Sequence, residues 1–154
     1  MTPMMFQFVV GTLVSVINIG IHALVTVIAV TIARSAVPRH TSRPRLHLMS
    51  VMIAIAAVLK IAHMLEILTW AATYHVVRAA DADADILYFA FVNYTTLGYG
   101  DITPVREWRL IGPLTAMNGA LLFGWSAAIL FEVLLKTLEH LGLTEKPRAD
   151  LPRT

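Results

Sequence analysis

The sequence has no cysteine, and only 14% of its 154 residues are charged. The absence of cysteine excludes disulfides, thiolate chemistry and cysteine-based metal sites. The sequence also lacks a phosphate-binding loop, a dinucleotide-binding fingerprint and a Ser-His-Asp set in polar surroundings. It has no basic patch interleaved with exposed aromatic residues, as a nucleic-acid surface would need. We therefore expect neither an enzyme, nor an organic cofactor, nor a nucleic-acid partner.

What is abundant is apolar sequence, which makes up 57% of the residues and gives a mean hydropathy of +0.70. A soluble domain of this size could not hide so much apolar surface, so the composition predicts a protein of the bilayer. The uncharged N-terminal end favours a retained first helix over a cleaved signal peptide. The predicted organisation is a helix at 1–33, a loop at 34–45, a unit at 46–138 with helices at 46–73, 86–95 and 110–138, and a tail at 139–154.

Acidic residues are absent from the loop at 34–45, whereas basic ones cluster there. Short basic loops stay in the cytoplasm, and basic side chains there suit anionic lipid headgroups. Lys and Arg residues also occur at the end of the last helix and in the tail, so both regions predict an outside N-terminus and a cytoplasmic C-terminus. The basic residues concerned are Arg34, Arg39, Arg43, Arg45, Lys136, Lys146, Arg148 and Arg153.

Two polar stripes interrupt the first two apolar segments. Ser15, Asn18 and His22 share one helical face, which favours contacts between helices, with His22 as a proton sensor as the alternative. On the second helix, Lys60, His63 and Glu66 also share a face. Ionisable groups inside a membrane are costly unless they are paired, so these residues predict a structural ion-pair network. A role in gating, or half of a metal site at His63 and Glu66, is the alternative.

The segment at 86–95 is too short to cross a membrane, and a glycine-bearing stretch follows it at 96–101. This pattern predicts a re-entrant half-helix buried in protein. Gly98 and Gly100 allow positive φ on either side of Tyr99, so successive carbonyl oxygens can face one side and replace the water around a cation. Upstream, three aspartates either concentrate cations or form a solvated loop, and the last of them is a candidate helix cap. They are Asp81, Asp83 and Asp85. Trp70 and Tyr74, before this loop, suit the outer interface.

The run Thr96-Leu97-Gly98-Tyr99-Gly100, followed by Asp101, resembles the filter of the potassium channel pore family. The resemblance covers about residues 86–132, and 46–138 then corresponds to a pore domain. The apolar segments predict an all-α integral membrane protein with three transmembrane helices, and the resemblance adds a re-entrant pore helix and a filter loop. Three spans per chain depart from the two-span and six-span members of the family. The resemblance also implies that four copies surround one central pore.

The resemblance further implies roles for individual residues. The carbonyl groups of residues 96–99 and the Thr96 hydroxyl would coordinate K⁺, and Gly100 would close the outer end of the filter. Tyr88, Thr95 and Asp101 would support the filter. Tyr88 and Phe89 stand where the family often has two tryptophans, so we expect Tyr88 to donate a hydrogen bond to Asp101.

On the last helix, Gly119 lies close to the position of the family's hinge glycine, although close packing explains a glycine there equally well. Asn118 and Ser126 are candidates to line an aqueous cavity. The resulting expectation is passive K⁺ conduction by a homotetramer in a prokaryotic plasma membrane. Two alternatives are a weakly selective cation channel and a non-conducting regulator with a pore-like loop.

Overall fold

A computed structural model describes residues 3–35 and 42–143. The regular elements of these residues are all helices, which confirms the predicted all-α class. Residues 36–41 of the basic loop, with Arg39, and the end of the predicted tail, with Lys146, Arg148 and Arg153, lie outside the described residues. The elements are α1 (Pro3–Ser35), α2 (Pro44–Val77), α3 (Ile86–Tyr94), a short 3-10 helix (Arg106–Trp108) and α4 (Ile111–His140).

Three helical segments are long and apolar enough to cross a membrane: Met4–Ser35, Pro44–Val77 and Arg106–His140. The two later segments extend beyond the predicted 46–73 and 110–138. α2 begins at Pro44, where the missing N–H of proline costs nothing because N–H groups in the first turn have no acceptor within the helix. The residue that caps its C-terminus, Arg78, is in the left-handed conformation with a φ of 52°. By contrast, the 9 residues of α3 give a helix of about 13 Å, far short of a bilayer of about 30 Å.

Contacts near the filter loop fix how the helices are arranged. α1 packs against both α2 and α4, and α3 lies between α2 and α4. Gln7 of α1 accepts a hydrogen bond at 2.9 Å from the Leu110 backbone N–H at the start of α4. The segment after residue 101 is tied to the end of α2 because Val105 N–H donates to the Ala79 carbonyl at 2.8 Å. The start of α1, the end of α2 and the start of α4 therefore share one end of the molecule, which we call the filter end because residues 96–101 lie near it.

The interior consists of two apolar cores. The core at the filter end includes Trp70, Tyr74 and Phe89, and the core at the opposite end includes Ile55, Leu59 and Ile129. Between the cores lies a layer of buried polar side chains contributed by all four α-helices. We call this set the polar layer; its members are Asn18, His22, His63, Glu66, Tyr94, Asn118 and Ser126.

Trp70 and Tyr74, which we predicted to suit the outer interface, are fully buried, so they pack inside the protein and do not face lipid headgroups. Each has found a polar partner inside the protein, which removes the need for interfacial water. Trp70 Nε1–H donates to Asn118 Oδ1 at 3.0 Å. The Tyr74 hydroxyl lies 2.6 Å from the Thr115 hydroxyl.

Candidate functional site: a filter-like loop and the polar layer behind it

The loop after α3 alternates in backbone handedness. Thr96, Gly98 and Gly100 have φ values of 60°, 61° and 78°, whereas Leu97 and Tyr99 are not among the residues with positive φ. Alternation of this kind turns successive carbonyl oxygens toward the same side of the chain. Thr96 is strained in this conformation because it has a Cβ, and such strain persists only where the surroundings impose it.

Hydrogen bonds to α3 provide those surroundings. The N–H of Thr96 donates to the Asn93 carbonyl at 3.0 Å, and the N–H of Leu97 donates to the Val92 carbonyl at 3.0 Å. The Thr95 hydroxyl donates to the Phe91 carbonyl at 2.7 Å. The first residues of the loop are thus fixed to the C-terminal turn of α3, whose partial negative charge favours a cation nearby.

The opposite end of α3 is capped. The Asp85 side chain accepts a hydrogen bond from Tyr88 N–H at 3.0 Å, so the predicted helix cap is confirmed. Asp85 thereby supplies a partner for a backbone donor that the first turn of α3 cannot satisfy itself. Its place as the cap fixes where α3 begins and, through the length of α3, where the filter-like loop begins.

Tyr88 also links the beginning of α3 to the residue after the loop. Its hydroxyl donates to Asp101 Oδ2 at 2.7 Å, and Asp101 Oδ1 accepts from Ile102 N–H at 3.1 Å. The bond from Tyr88 lowers the pKa of Asp101, and the same bond raises the pKa of Tyr88 to about 12. A protonated phenol therefore faces an ionised carboxylate throughout the neutral range.

One side of the loop is left uncovered by the described residues. Leu97 is 53% exposed and Tyr99 is 67% exposed. Met117 and Leu121 of α4 are exposed too, although both are large apolar residues. Exposed apolar residues near a backbone loop of this shape mark a surface that other protein or lipid covers.

Behind α3, Glu66 is the centre of the polar layer. Its carboxylate contacts His22 Nδ1 at 2.8 Å, His63 Nδ1 at 3.0 Å and the Tyr94 hydroxyl. Ser126 of α4 lies on the far side of both imidazoles, with its hydroxyl 2.9 Å from His63 Nε2 and 3.3 Å from His22 Nε2. We call these five residues the Glu66 cluster. It joins all four α-helices, and Tyr94 is the last residue of α3.

The rest of the polar layer extends from this cluster toward the filter end. Asn18 donates to the Glu66 carbonyl at 3.3 Å and to Asn118 Oδ1 at 3.1 Å. Asn118 Oδ1 also accepts from Trp70, as described above. Asn18 Oδ1 and Asn118 Nδ2 make no hydrogen bond among the described residues. These asparagines therefore tie α1, α2 and α4 together at the cost of two unpaired polar atoms.

Lys60 does not belong to the network that we predicted for Lys60, His63 and Glu66. Its side chain is exposed, whereas His63 and Glu66 are buried. Three residues fall about 60° short of a full helical turn, so the six residues from Lys60 to Glu66 leave the two side chains about 120° apart around the helix. The partner that replaces Lys60 is His22 of α1. The polar stripe on α1 indicated that His22 faces protein, but nothing in the sequence identified Glu66 as its partner.

Asn118 and Ser126 also differ from the expectation that they line a cavity. Asn118 is 2% exposed and Ser126 is 7% exposed, and both point into the polar layer. Buried hydrogen bonds to Asn18, Trp70 and the histidines hold them there. Gly119 lies against α3, since a Cβ at this position would collide with the Tyr94 carbonyl oxygen. The close approach accounts for a glycine at 119.

One nitrogen or oxygen atom from each of His22, His63 and Glu66 lies within 4.8 Å of the others, close enough for a shared metal ion. The donor set would suit Zn²⁺. Each residue is, however, already engaged in hydrogen bonds of 2.8 Å to 3.0 Å within the cluster. We therefore assign the three residues to the hydrogen-bond network.

The fold and this site define a helical membrane protein with a re-entrant helix and a filter-like loop. A family model described as "Ion channel" matches residues 62–136, just under half of the chain. The matched part includes the end of α2, all of α3, the loop and most of α4. No curated protein and no solved structure matches the chain significantly.

Proposed function

We propose that the protein is a potassium-selective channel that conducts K⁺ passively through a central pore formed by four copies. The observation that carries the proposal is the alternating φ of residues 96–100 within the segment that matches the ion channel family. The carbonyl groups of residues 96–99 and the Thr96 hydroxyl would replace the hydration shell of K⁺. K⁺ is the transported ion, and no catalytic step is assigned to the protein.

Four copies are proposed because one chain supplies a single row of carbonyl groups, which surrounds a cation only when it is repeated around an axis. The exposed side chains of Leu97, Tyr99, Met117 and Leu121 would then face neighbouring copies or the pore. The uncovered surface of the single chain is consistent with this arrangement.

The proposed location is a prokaryotic plasma membrane, with the filter end outside. Arg34, Arg43, Arg45 and Lys136 lie at the end of the molecule opposite the filter-like loop. Basic residues favour the cytoplasmic side. Anionic lipids are the proposed partners of the arginines at 34–45.

The test is ion flux from liposomes that contain the purified protein, under opposing K⁺ and Na⁺ gradients and with Ba²⁺ as a blocker. Gly98→Ala should abolish the flux, because its φ of +61° strains any residue with a Cβ, even though nothing lies within 4 Å. Gly20→Ala is the matched control, since Gly20 on α1 also has nothing within 4 Å but lies in a regular helix.

Flux driven by K⁺ that Ba²⁺ blocks, that Gly20→Ala preserves and that Gly98→Ala abolishes is the expected result. Equal flux of Na⁺ would instead assign a weakly selective cation channel, with the single Tyr88 hydrogen bond too weak a support for selectivity. Absence of flux in both gradients from a confirmed tetramer would favour a non-conducting regulator.

A further inference from the structure

The Glu66 cluster contains a mismatch between its hydrogen bonds and its protons. Five pairs of atoms lie at hydrogen-bond distance: Glu66 with His22, with His63 and with Tyr94, and Ser126 with each of the two histidines. Each pair needs one proton between its atoms. An additional contact, between His63 Nδ1 and the Tyr94 hydroxyl at 2.9 Å, can share a proton with the neighbouring pairs.

Neutral histidines and an ionised Glu66 do not supply enough protons. Each neutral imidazole, the phenol and the serine hydroxyl carry one proton apiece, and a carboxylate carries none. With both Nδ1 protons directed at Glu66, both Nε2 atoms are acceptors. Ser126 can donate to only one of them, so one bond lacks its proton. One further proton completes all five.

The same proton balances the charge. Glu66 and His22 are fully buried, and His63 is 8% exposed. A lone carboxylate at this depth would leave an uncompensated charge in an apolar medium, which costs several kcal/mol. A cluster with one added proton is neutral. Charge and hydrogen-bond geometry therefore require the same state.

We infer that His22, Glu66, His63, Tyr94 and Ser126 form a binding site for one exchangeable proton, and that a second proton bound there closes the filter. Ser126 bridges the two Nε2 atoms, so the added proton passes between the imidazoles when His22 donates to Ser126 and Ser126 donates to His63, or the reverse. No bond other than these N–H and O–H bonds changes.

Within residues 3–35 and 42–143, the hydrogen bonds of the cluster reach no other charged side chain. α1 contributes His22, α2 contributes His63 and Glu66, and α3 contributes Tyr94; in the described part of α4, the contacts to the cluster come from Ser126, Trp125 and Phe123, none of which is charged. Lys60 is exposed on another face of α2. The titration of the cluster thus depends on its own members.

Tyr94 connects the cluster to the filter. It is the last residue of α3, two positions before Thr96, and its hydroxyl contacts Glu66 while its carbonyl lies against Gly119. A second proton binds the Nε2 that is still unprotonated, so the Ser126 hydroxyl then accepts from both imidazoles and the cluster carries a net positive charge. A positive charge next to the C-terminal end of α3 disfavours cations there. This coupling rests on the proposed channel function, whereas the proton site does not.

The proton site is tested by solid-state NMR of the full chain in liposomes, with ¹⁵N-labelled histidine. The expected spectrum at neutral pH shows His22 and His63 sharing one Nε2 proton, which should be confined to His63 in His22→Gln because Glu66 still needs one positive partner. Ser126→Ala should confine that proton to one ring. His75→Gln, which removes an exposed histidine at the end of α2, should leave the cluster signals unchanged. Two neutral rings with both Nε2 atoms unprotonated, or rings that respond to added Zn²⁺ but not to pH, would overturn the site.

The coupling is tested by K⁺ flux in the same liposomes as the pH falls from about 8 to about 5, the range in which histidine titrates. Flux should fall in the wild type and in His75→Gln, and the midpoint should move by about one pH unit in Ser126→Ala, the scale set by one lost buried hydrogen bond. Flux that is independent of pH, or a midpoint unmoved by both Ser126→Ala and Tyr94→Phe, would overturn the coupling. Absence of flux at every pH would overturn the channel function instead, and the NMR result would still decide the proton site.

Discussion

The Tyr88 hydroxyl and the Asp101 carboxylate, 2.7 Å apart, close a loop that contains all but the first two residues of α3 and the whole filter-like segment. The two residues are separated by 13 positions in sequence, so this contact holds the end of the segment against the beginning of α3. It is the contact that the family resemblance implies for these two residues.

Replacing Tyr88 with Phe should weaken the filter without unfolding the protein. The ring remains and only the hydroxyl that donates to Asp101 is lost, so we expect the ratio of K⁺ to Na⁺ flux to fall about two- to fivefold, as for an exposed polar contact. Flux in mixed-ion liposomes measures the ratio. Tyr99→Phe is a useful comparison, because it removes the exposed phenol of the filter itself. An unchanged ratio in Tyr88→Phe would show that the contact does not support the filter.

The pH range of the Tyr88–Asp101 contact follows from its two pKa values. The pKa of Asp101 is lowered from 3.8, so the contribution of its carboxylate is complete above that value and is lost as the pH falls through the lowered pKa. The pKa of Tyr88 is raised from 10.0 to about 12, so the contribution of its phenol is complete below 10.0 and is lost as the pH rises through about 12.

This pair should therefore contribute no pH dependence between 3.8 and 10.0. Ultraviolet absorbance of tyrosinate should show one phenol that titrates near 12 and that is missing in Tyr88→Phe. A phenol that titrates near 10 in place of this one would mean that the contact is absent in solution. Because this pair does not titrate near neutral pH, any change of flux in that range should also occur in Tyr88→Phe.

Gly119→Ala should displace α3 from α4. The added Cβ would collide with the backbone carbonyl of Tyr94, which cannot rotate away as a side chain could. We expect a loss of about 1–3 kcal/mol in the free energy of unfolding, as for other overpacked sites. Gly124→Ala is the matched control on the same helix, because nothing lies within 4 Å of a Cβ there. It should keep or raise stability, by up to about 1 kcal/mol, since alanine favours a helix. Denaturation in detergent measures both, and equal effects would rule out the close approach.

Gln7→Ala should loosen the start of α4. Gln7 is buried, and its side chain accepts from Leu110 N–H, which no residue of α4 can do. The expected loss of stability is about 1 kcal/mol, the usual value for one hydrogen bond. Thr12→Ala, at an exposed position of α1, is the control and should change stability little. Hydrogen exchange at Leu110 reports the site directly; protection that remains in Gln7→Ala would contradict the prediction.

The parts of the fold that could be read from the sequence depend on local pattern. Hydropathy and length identify three spanning segments, and a helix too short to span followed by Gly98 and Gly100 identifies the re-entrant loop. Which residues of two helices contact each other cannot be predicted from local pattern, because these contacts depend on how far each helix is shifted along and rotated about its axis. The stripe on α1 indicated that His22 faces protein, but only this shift and rotation place it against Glu66. The same three-residue spacing grouped Lys60 with His63 and Glu66, whereas burial separates Lys60 from them.

The position of His22 on α1 bears on how the chain is made. α1 precedes α2 in sequence, so His22 is already in place when Glu66 leaves the ribosome and enters the bilayer. A shortened chain that began at Pro44 would bring Glu66 into the membrane with only His63 and Tyr94 to pair it. α1 therefore supplies the buried partner that the carboxylate of α2 would otherwise lack in an apolar medium.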